Sequence, residues 1–421
     1  MVKAVGSPSV VFVVWIFGGV LSLFGALTYA ELSAAMPKAG GEYVYLTAAY
    51  GPLLGFIQGW TNIVVGFSAS IAAKAAALYT YFAIFFPRFH HVFFTIHLPI
   101  GPNGGPLEIQ YGQLFGVSIV VLLTALNYVG VRVGGGVQVA TTVLKITLII
   151  GIIGAGLLSG QSTAANLQTT MPAVPGGVAG FFAALVAALW AYDGWNNAGM
   201  LGADIARPGR NLPLVLILGT GTVVLIYLLT NVVYFSVLPA AHIGANQTVA
   251  ADMMQRAVGP VGGAILTVAA IISIFASLNG SLLAGSRVPY AMARGGLFFK
   301  SMKFIHPRFE TPALSLILLC VWSSILLLSG RFDQLYRMVI FTEWIFYALT
   351  AAGAIVLRRK YPDLQRPYKI WGYPLIPAVF VVVGIALLYS TLVTYPEDSV
   401  KGLILIAVAL PFYFYWKKPT K

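Results

Sequence analysis

Four ionisable side chains stand well inside apolar runs, away from their ends: Lys74, Lys145, Asp193 and Glu343. Their types and spacing do not suit catalysis. They form no paired carboxylates for general acid–base work, no Ser/His/Asp or Cys/His arrangement, and no metal-ligand spacing. Isolated charges at membrane depth instead suit the holding of a charged or zwitterionic solute, because an intramembrane ionisable group is costly and needs a polar counterpart. The sharpest case is "LWAYDGWNNAG", residues 189–199. It centres on Asp193 and is followed at once by Gly194, within an apolar run of residues 178–203. A carboxylate there costs at least ~2.5 kcal/mol on insertion scales, and the glycine weakens the helix further.

The combination predicts a break between two half-helices, 178–191 and 198–204. Irregular backbone at membrane depth is tolerated where it lines a protein-enclosed cavity, and such breaks supply midplane binding sites in secondary transporters. Freed backbone carbonyls and N–H groups there would form a site for a polar solute, with Trp190 and Trp195 closing over it. A kinked structural helix with a satisfied Asp193 is the plainer alternative.

Lys145, in "VATTVLKITLIIGIIGAG", lies about nine residues from the inner end of its run, or roughly 13 Å of helix. That is a long reach for snorkelling, so it is expected to face the protein interior. Lys74, in "SASIAAKAAALYTY", is nearer an end, where a snorkelling lysine competes with one that faces the cavity. Glu343, in "VIFTEWIFYALT", reads more readily as a structural partner of Arg337 than as a transport residue. Ser273, Ser277 and Ser281 recur every four residues, one narrow polar stripe on a helix, with Asn279 and Gly280 beside it. Close packing and ligand lining explain such a stripe equally well.

These residues are carried by a chain of 421 residues that is 59% hydrophobic and only 9% charged. That composition marks a polytopic, all-α integral membrane protein. Candidate spans are 9–32, 54–85, 113–129, 136–158, 178–203, 213–238, 261–286, 312–329, 336–357, 374–394 and 402–416. The run 54–85 is too long for one upright helix, so a tilt or break is expected. The runs are continuous rather than alternating, which argues against a β-barrel.

The net charge of +13 could suggest nucleic acid, but its placement argues otherwise. With Met1 outside, seventeen of the 25 Lys and Arg residues fall in inner loops and the C-terminal tail, clustered at 287–308, 358–369 and 417–421. The excess therefore reports orientation and implies a cytoplasmic C-terminus. The lone Cys320 excludes a disulfide framework and a cysteine metal site. His90, His91 and His97 read as a solvated outer loop, and Asn246-Gln247-Thr248 as a chance sequon. No cofactor, metal, nucleic acid or partner subunit is called for.

Longer motifs carry a family resemblance. "GALTYAELSAAMPKAGGEYVYLTAAYGPLLGFIQGW" at 25–60 resembles the second helix and following loop of amino-acid permeases of the amino acid–polyamine–organocation superfamily. "LWAYDGWNNAG" with "ARPGRNLP" at 206–213 resembles the sixth helix and loop of its L-type amino-acid transporter branch. "SLNGSLLAGSRVPYAMARGGLF" at 277–298, with "HPRFETPALSL" at 306–316, resembles the eighth helix and its exit, and "LRRKYPDLQRPYKIWGYPLIP" at 357–377 the loop before the eleventh. The match runs in order along essentially the whole chain.

The resemblance implies a LeuT-like five-plus-five inverted-repeat bundle with two further helices: 1–158 as the first repeat, 178–357 as the second and 374–416 as the last two helices. Because "MVKAVGSPSVVFVVW" resembles the loop after the family's first helix, that helix is expected to be missing, leaving about 11 spans instead of 12. The implied activity is sodium-independent movement of amino acids across the cell (inner) membrane by alternating access, through exchange, proton coupling or uniport. Neutral substrates are favoured, with cationic ones as an alternative. Lys145 matches a fifth-helix lysine that stands in for a sodium ion, with Ser277 or Ser281 as its partners. By the same resemblance Trp190, Ala191 and Asp193 mark the sixth-helix substrate contacts, with Tyr192, Gly194 and Asn196 beside them; Ser277, Asn279 and Ser281 join these contacts, Lys74 and Trp195 the cavity or gate, and Asp204 alone, or Glu31 with Lys38, the inner gate. A truncated, non-transporting membrane scaffold or subunit is the reading from another class.

Overall fold

Helix dominates because nearly every apolar run must satisfy its backbone polar groups internally. The computed structural model describes residues 1–97, 105–245, 248–330, 332–394 and 396–417, and of 332–340 the backbone alone. The side chain of Arg337, and Asn246, Gln247 and most of the terminal basic cluster, lie outside what is described.

In chain order the α-helices are α1 (Val2–Val5), α2 (Pro8–Ala35), α3 (Glu42–Tyr50), α4 (Pro52–Thr61), α5 (Phe67–Ala83), α6 (Tyr111–Val129), α7 (Val131–Leu158), α8 (Gly177–Tyr192) and α9 (Pro208–Val237). They continue with α10 (Ala240–Ala245), α11 (Val249–Val258), α12 (Val261–Gly285), α13 (Arg287–Arg294), α14 (Ala313–Leu328), α15 (Phe332–Lys360), α16 (Leu375–Thr394) and α17 (Pro396–Lys417). Among the described residues, ten helical segments are long and apolar enough to cross a membrane, and α14 is a shorter apolar helix. Together they match the eleven expected runs. The protein is an all-α, multi-pass membrane protein; among the described residues the strands are β1 (Val92–Ile96), paired antiparallel with β2 (Leu107–Gln110).

Contacts divide the chain into two units. The first comprises Met1–Leu27, Thr142–Asn196 and Leu214–Ile272. Its helices approach closely where side chains are small: a Cβ on Gly18 would touch Ala188 at 3.5 Å, and one on Gly19 would meet Val224 at 2.8 Å. Small residues at such crossings are the usual means of close packing between membrane helices. Ile152, Ile153, Val233, Val237, Leu238, Met253 and Met254 form a buried cluster within it. Val143, Ile150, Leu218 and Leu225 are exposed, as a lipid-facing surface requires.

The second unit comprises Thr28–Thr141, Asn197–Pro213 and Ser273–Lys421. Its core joins Phe56, Ile71, Leu123, Leu282, Met292 and Leu319. Stacking of Trp60 on Phe412, 4.2 Å between centroids, ties α4 to α17.

The overlong run 54–85 is interrupted by a π-helical turn, Asn62–Gly66. Such a turn shifts the backbone ladder and frees carbonyls. Ser68 Oγ donates to the Ile63 carbonyl at 2.7 Å, and Trp322 Nε1 donates to that of Val64 at 2.7 Å. A Cβ at Gly66 would lie 3.6 Å from Glu343 Oε1, so the α15 carboxylate sits against this turn.

Candidate functional site

The predicted break is present. α8 stops at Tyr192; Asp193 leaves helical geometry at φ −58°, ψ 148°, and Gly194 takes φ +98°. That value lies in the left-handed region, which only glycine adopts at no steric cost. A 3-10 turn, Trp195–Met200, follows.

The polar groups released by the break are managed by aromatics. Tyr227 Oη donates to the Ala191 carbonyl at 2.8 Å, and Tyr192 Oη donates to the Trp15 carbonyl at 3.1 Å. The rings of Trp15, Tyr192 and Tyr227 pack mutually with centroids 5.2–5.4 Å apart. The break is thus braced from α2 and α9. Tyr192 and Asn196 are buried, Ala191, Gly194 and Trp195 half-buried, and Trp190 and Asp193 exposed. Of the expected contacts at the break, Trp190 and Asp193 have the most exposed surface; the Ala191 carbonyl accepts from Tyr227, and the Tyr192 hydroxyl donates to Trp15. Trp15 and Tyr227 escaped the sequence reading because an aromatic within an apolar run looks like any core residue.

Lys145 is half-buried on the part of α7 that belongs to the first unit. The remaining candidates lie in the second unit. There Lys74 Nζ donates to Ser281 Oγ at 2.6 Å, joining α5 to α12. The serine expected to serve Lys145 is thus engaged by the other intramembrane lysine. Ser277 is half-buried one turn earlier. The Asn279 amide is spent on helix ties: it donates to the Gly134 carbonyl at 3.2 Å and to Gln138 Oε1 at 2.9 Å, and accepts from Asn127 Nδ2 at 2.7 Å.

Two acidic residues have partners other than those expected. Glu31, 2% exposed, receives both Nε and Nη2 of Arg358, lies 3.4 Å from Arg366 Nε, and accepts the Ile370 backbone N–H at 2.8 Å. Its partners are Arg358 at the end of α15 and Arg366 and Ile370 in the loop before α16, and not the Lys38 expected beside it. Burial, and secondarily this carboxylate, pushes the Tyr368 phenol up. Asp204 does not act alone: its Oδ2 accepts Arg287 Nε at 2.9 Å and lies 2.8 Å from Nη2, while Nη1 donates to the Leu283 carbonyl and to Ser286.

A third carboxylate was not foreseen. Glu42, 3% exposed, accepts from Tyr29 Oη at 3.0 Å and Gln58 Nε2 at 2.8 Å. Its sequence setting, "GGEYVYL" in a connecting segment, gave no hint of burial. Near the break, the Gly40 N–H donates to the Met200 carbonyl at 3.1 Å, and a bridge joins Ala39 to Leu201. The end of the 3-10 turn is therefore pinned to the "AGG" segment at 39–41.

Comparison with known proteins places the whole chain in a family. The family model described as amino acid permease matches residues 1–412. The serine/threonine exchanger SteT of Bacillus subtilis is 31% identical over 98% of this chain and 90% of its own length. The cystine/glutamate transporter of Homo sapiens is 30% identical over 98% of the chain and 80% of its own length. The b(0,+)-type amino acid transporter 1 of Mus musculus is 29% identical, covering 96% and 79%. These relatives are transporters and exchangers, not enzymes. With eleven apolar helices among the described residues and a family match across nearly its whole length, the chain belongs to the amino acid permease family of the amino acid–polyamine–organocation superfamily.

Proposed function

We propose that this permease is a sodium-independent amino-acid exchanger that favours neutral substrates and works by alternating access in the cell (inner) membrane, with its C-terminus cytoplasmic. The observation that carries the reading is the break at Asp193–Gly194, braced by Tyr227 and Trp15 so that Trp190 and Asp193 remain exposed beside irregular backbone. A broken membrane helix presents backbone dipoles to a polar solute, and the Asp193 carboxylate suits an α-ammonium group. Exchange is favoured by the likeness to a serine/threonine exchanger. A single carboxylate at the break also suits a cationic side chain, which keeps cationic amino acids as the second substrate class. In this reading Lys145 is a fixed cation that replaces a bound sodium ion, Ser277 and Ser281 belong to the serine face of α12, and Asp204 with Arg287 is part of the inner gate.

The test is uptake of a radiolabelled amino-acid panel into proteoliposomes, with and without internal amino acid and with sodium replaced by choline. Trans-stimulated, sodium-insensitive uptake supports the proposal. Uptake driven only by a proton gradient removes exchange. Silence across the panel moves the chain to the scaffold reading. Asp193→Asn should then change the rank order of substrates more than the amount of protein in the membrane; equal collapse of folding would make Asp193 structural.

A further inference from the structure

The second unit holds a cavity of about 520 Å³ that the transport reading does not use. It lies among the segment after α2, helix α3 and the end of α13. Met36, Pro37, Val44, Ala48 and Ala291 give it apolar walls. Its charged lining residues are Lys38 and Arg294, and no acidic residue lines it. Both cations are exposed. The Lys38 ammonium has no hydrogen bond or ion pair among the described residues. Arg294 donates to Tyr290 Oη at 3.2 Å and lies 5.8 Å from that ring's centroid, which holds the guanidinium without neutralising it. The nearby Asp204 is taken by Arg287.

An apolar cleft with two uncompensated cations and tyrosine hydroxyls is complementary to an anionic amphiphile. The occupant must place a phosphate at the cations and a glyceryl or acyl portion against the apolar wall. Chain alternation puts residues 36–51 and 286–312 at the same end of the membrane helices, the inner end on the topology proposed above. Basic pockets at that level suit acidic lipid headgroups. We propose that this cavity binds the headgroup of one acidic phospholipid, with Lys38 and Arg294 as its phosphate ligands.

The test uses the full chain in mixed micelles of phosphatidylcholine and phosphatidylglycerol, with bound lipid counted by native mass spectrometry. The symmetrical lipid supply makes the result independent of topology and of transport. Three proteins are compared: wild type, Lys38→Gln/Arg294→Gln, and Lys300→Gln/Lys303→Gln, which removes the same charge from an exposed neighbouring turn. The expected result is one phosphatidylglycerol retained by wild type and by the Lys300/Lys303 variant, and lost from the Lys38/Arg294 variant. Affinity should fall about fivefold per cation removed, the effect of one basic residue near an anionic surface. Equal retention by all three, or equal loss in both variants, overturns the site in favour of general surface attraction. Stabilisation of wild type by soluble glycerol 3-phosphate to the same degree as by the lipid overturns the lipid assignment.

Discussion

The phenolic hydroxyl of Tyr227 on α9 donates to the carbonyl oxygen of Ala191, the second-last residue of α8, at 2.8 Å. This bond answers the main energetic problem of a membrane-depth break, which is the fate of the carbonyls it releases. An unsatisfied buried acceptor costs about 1–3 kcal/mol, comparable to the margin by which the broken form must prevail over a continuous helix.

Tyr227→Phe keeps the ring packing and removes only the donor. The freed carbonyl can then recover a helical partner or remain exposed, and either outcome changes the geometry at Asp193. We expect substrate affinity to fall by about tenfold, the effect of roughly 1.4 kcal/mol, while the amount of protein in the membrane stays near wild type. Competition uptake at matched protein levels reads the first quantity and immunodetection the second. Unchanged affinity would make the bond incidental to the site.

How much of this was legible in the sequence depends on the range of the interactions. The spans were legible because twenty apolar residues have few other uses, and the break was legible because Asp193 and Gly194 are adjacent and both oppose helix. The interruption within 54–85 announced itself through length alone; that it is a π-helical turn held by Ser68 and Trp322 did not. Pairings across the chain were hidden. Lys74 meets Ser281 across 207 positions, and Glu31 meets Arg358 across 327. The family resemblance offered Lys38 beside Glu31, but α2 ends at Ala35 and Glu31 is taken by Arg358 and Arg366 from far along the chain. Asn279 was read as a ligand contact from its neighbourhood to the serine stripe, whereas its side chain lies on the face that packs against α6 and α7.

The Glu31 cluster provides a test that separates its two candidate partners. Removing one member of a buried charged network leaves an uncompensated charge and costs about 3–5 kcal/mol. Glu31→Gln should therefore lower the melting temperature of the purified protein and release the loop 361–370, seen as faster backbone hydrogen exchange at Ile370, whose N–H the carboxylate holds. Lys38→Ala should leave both unchanged. Destabilisation by Lys38→Ala of the same size would restore the original pairing.

The Lys74–Ser281 bond lends itself to a double-mutant cycle. Ser281→Ala removes the acceptor and Lys74→Met the donor while keeping side-chain length. If the 2.6 Å contact is energetically real, the double variant should be less destabilised than the sum of the singles, with a coupling of about 0.5–3 kcal/mol. Thermal melts in one detergent provide all four corners. Strict additivity would mean that the hydroxyl contributes nothing to holding the ammonium, and that other groups around Lys74 carry its charge.

Lys145 allows the most direct test of ion independence. Its ammonium is half-buried on a helix whose neighbouring residues are Leu144, Ile146, Leu148 and Ile149, an apolar setting in which a charge persists only for a structural or functional reason. If that reason is to occupy a place where a sodium ion would otherwise sit, removing the charge must either empty the place or open it to an ion from solution. Lys145→Ala should thus lose at least about tenfold in uptake in choline medium, a loss of roughly 1.4 kcal/mol or more in transition-state stabilisation, and recover part of it when sodium is supplied. Lys145→Arg retains the charge and should remain sodium-insensitive even if geometry slows it. Uptake by Lys145→Ala that is undiminished and ion-independent would remove the residue from the mechanism. Loss that sodium does not relieve, accompanied by a lower melting temperature, would make Lys145 a structural cation instead.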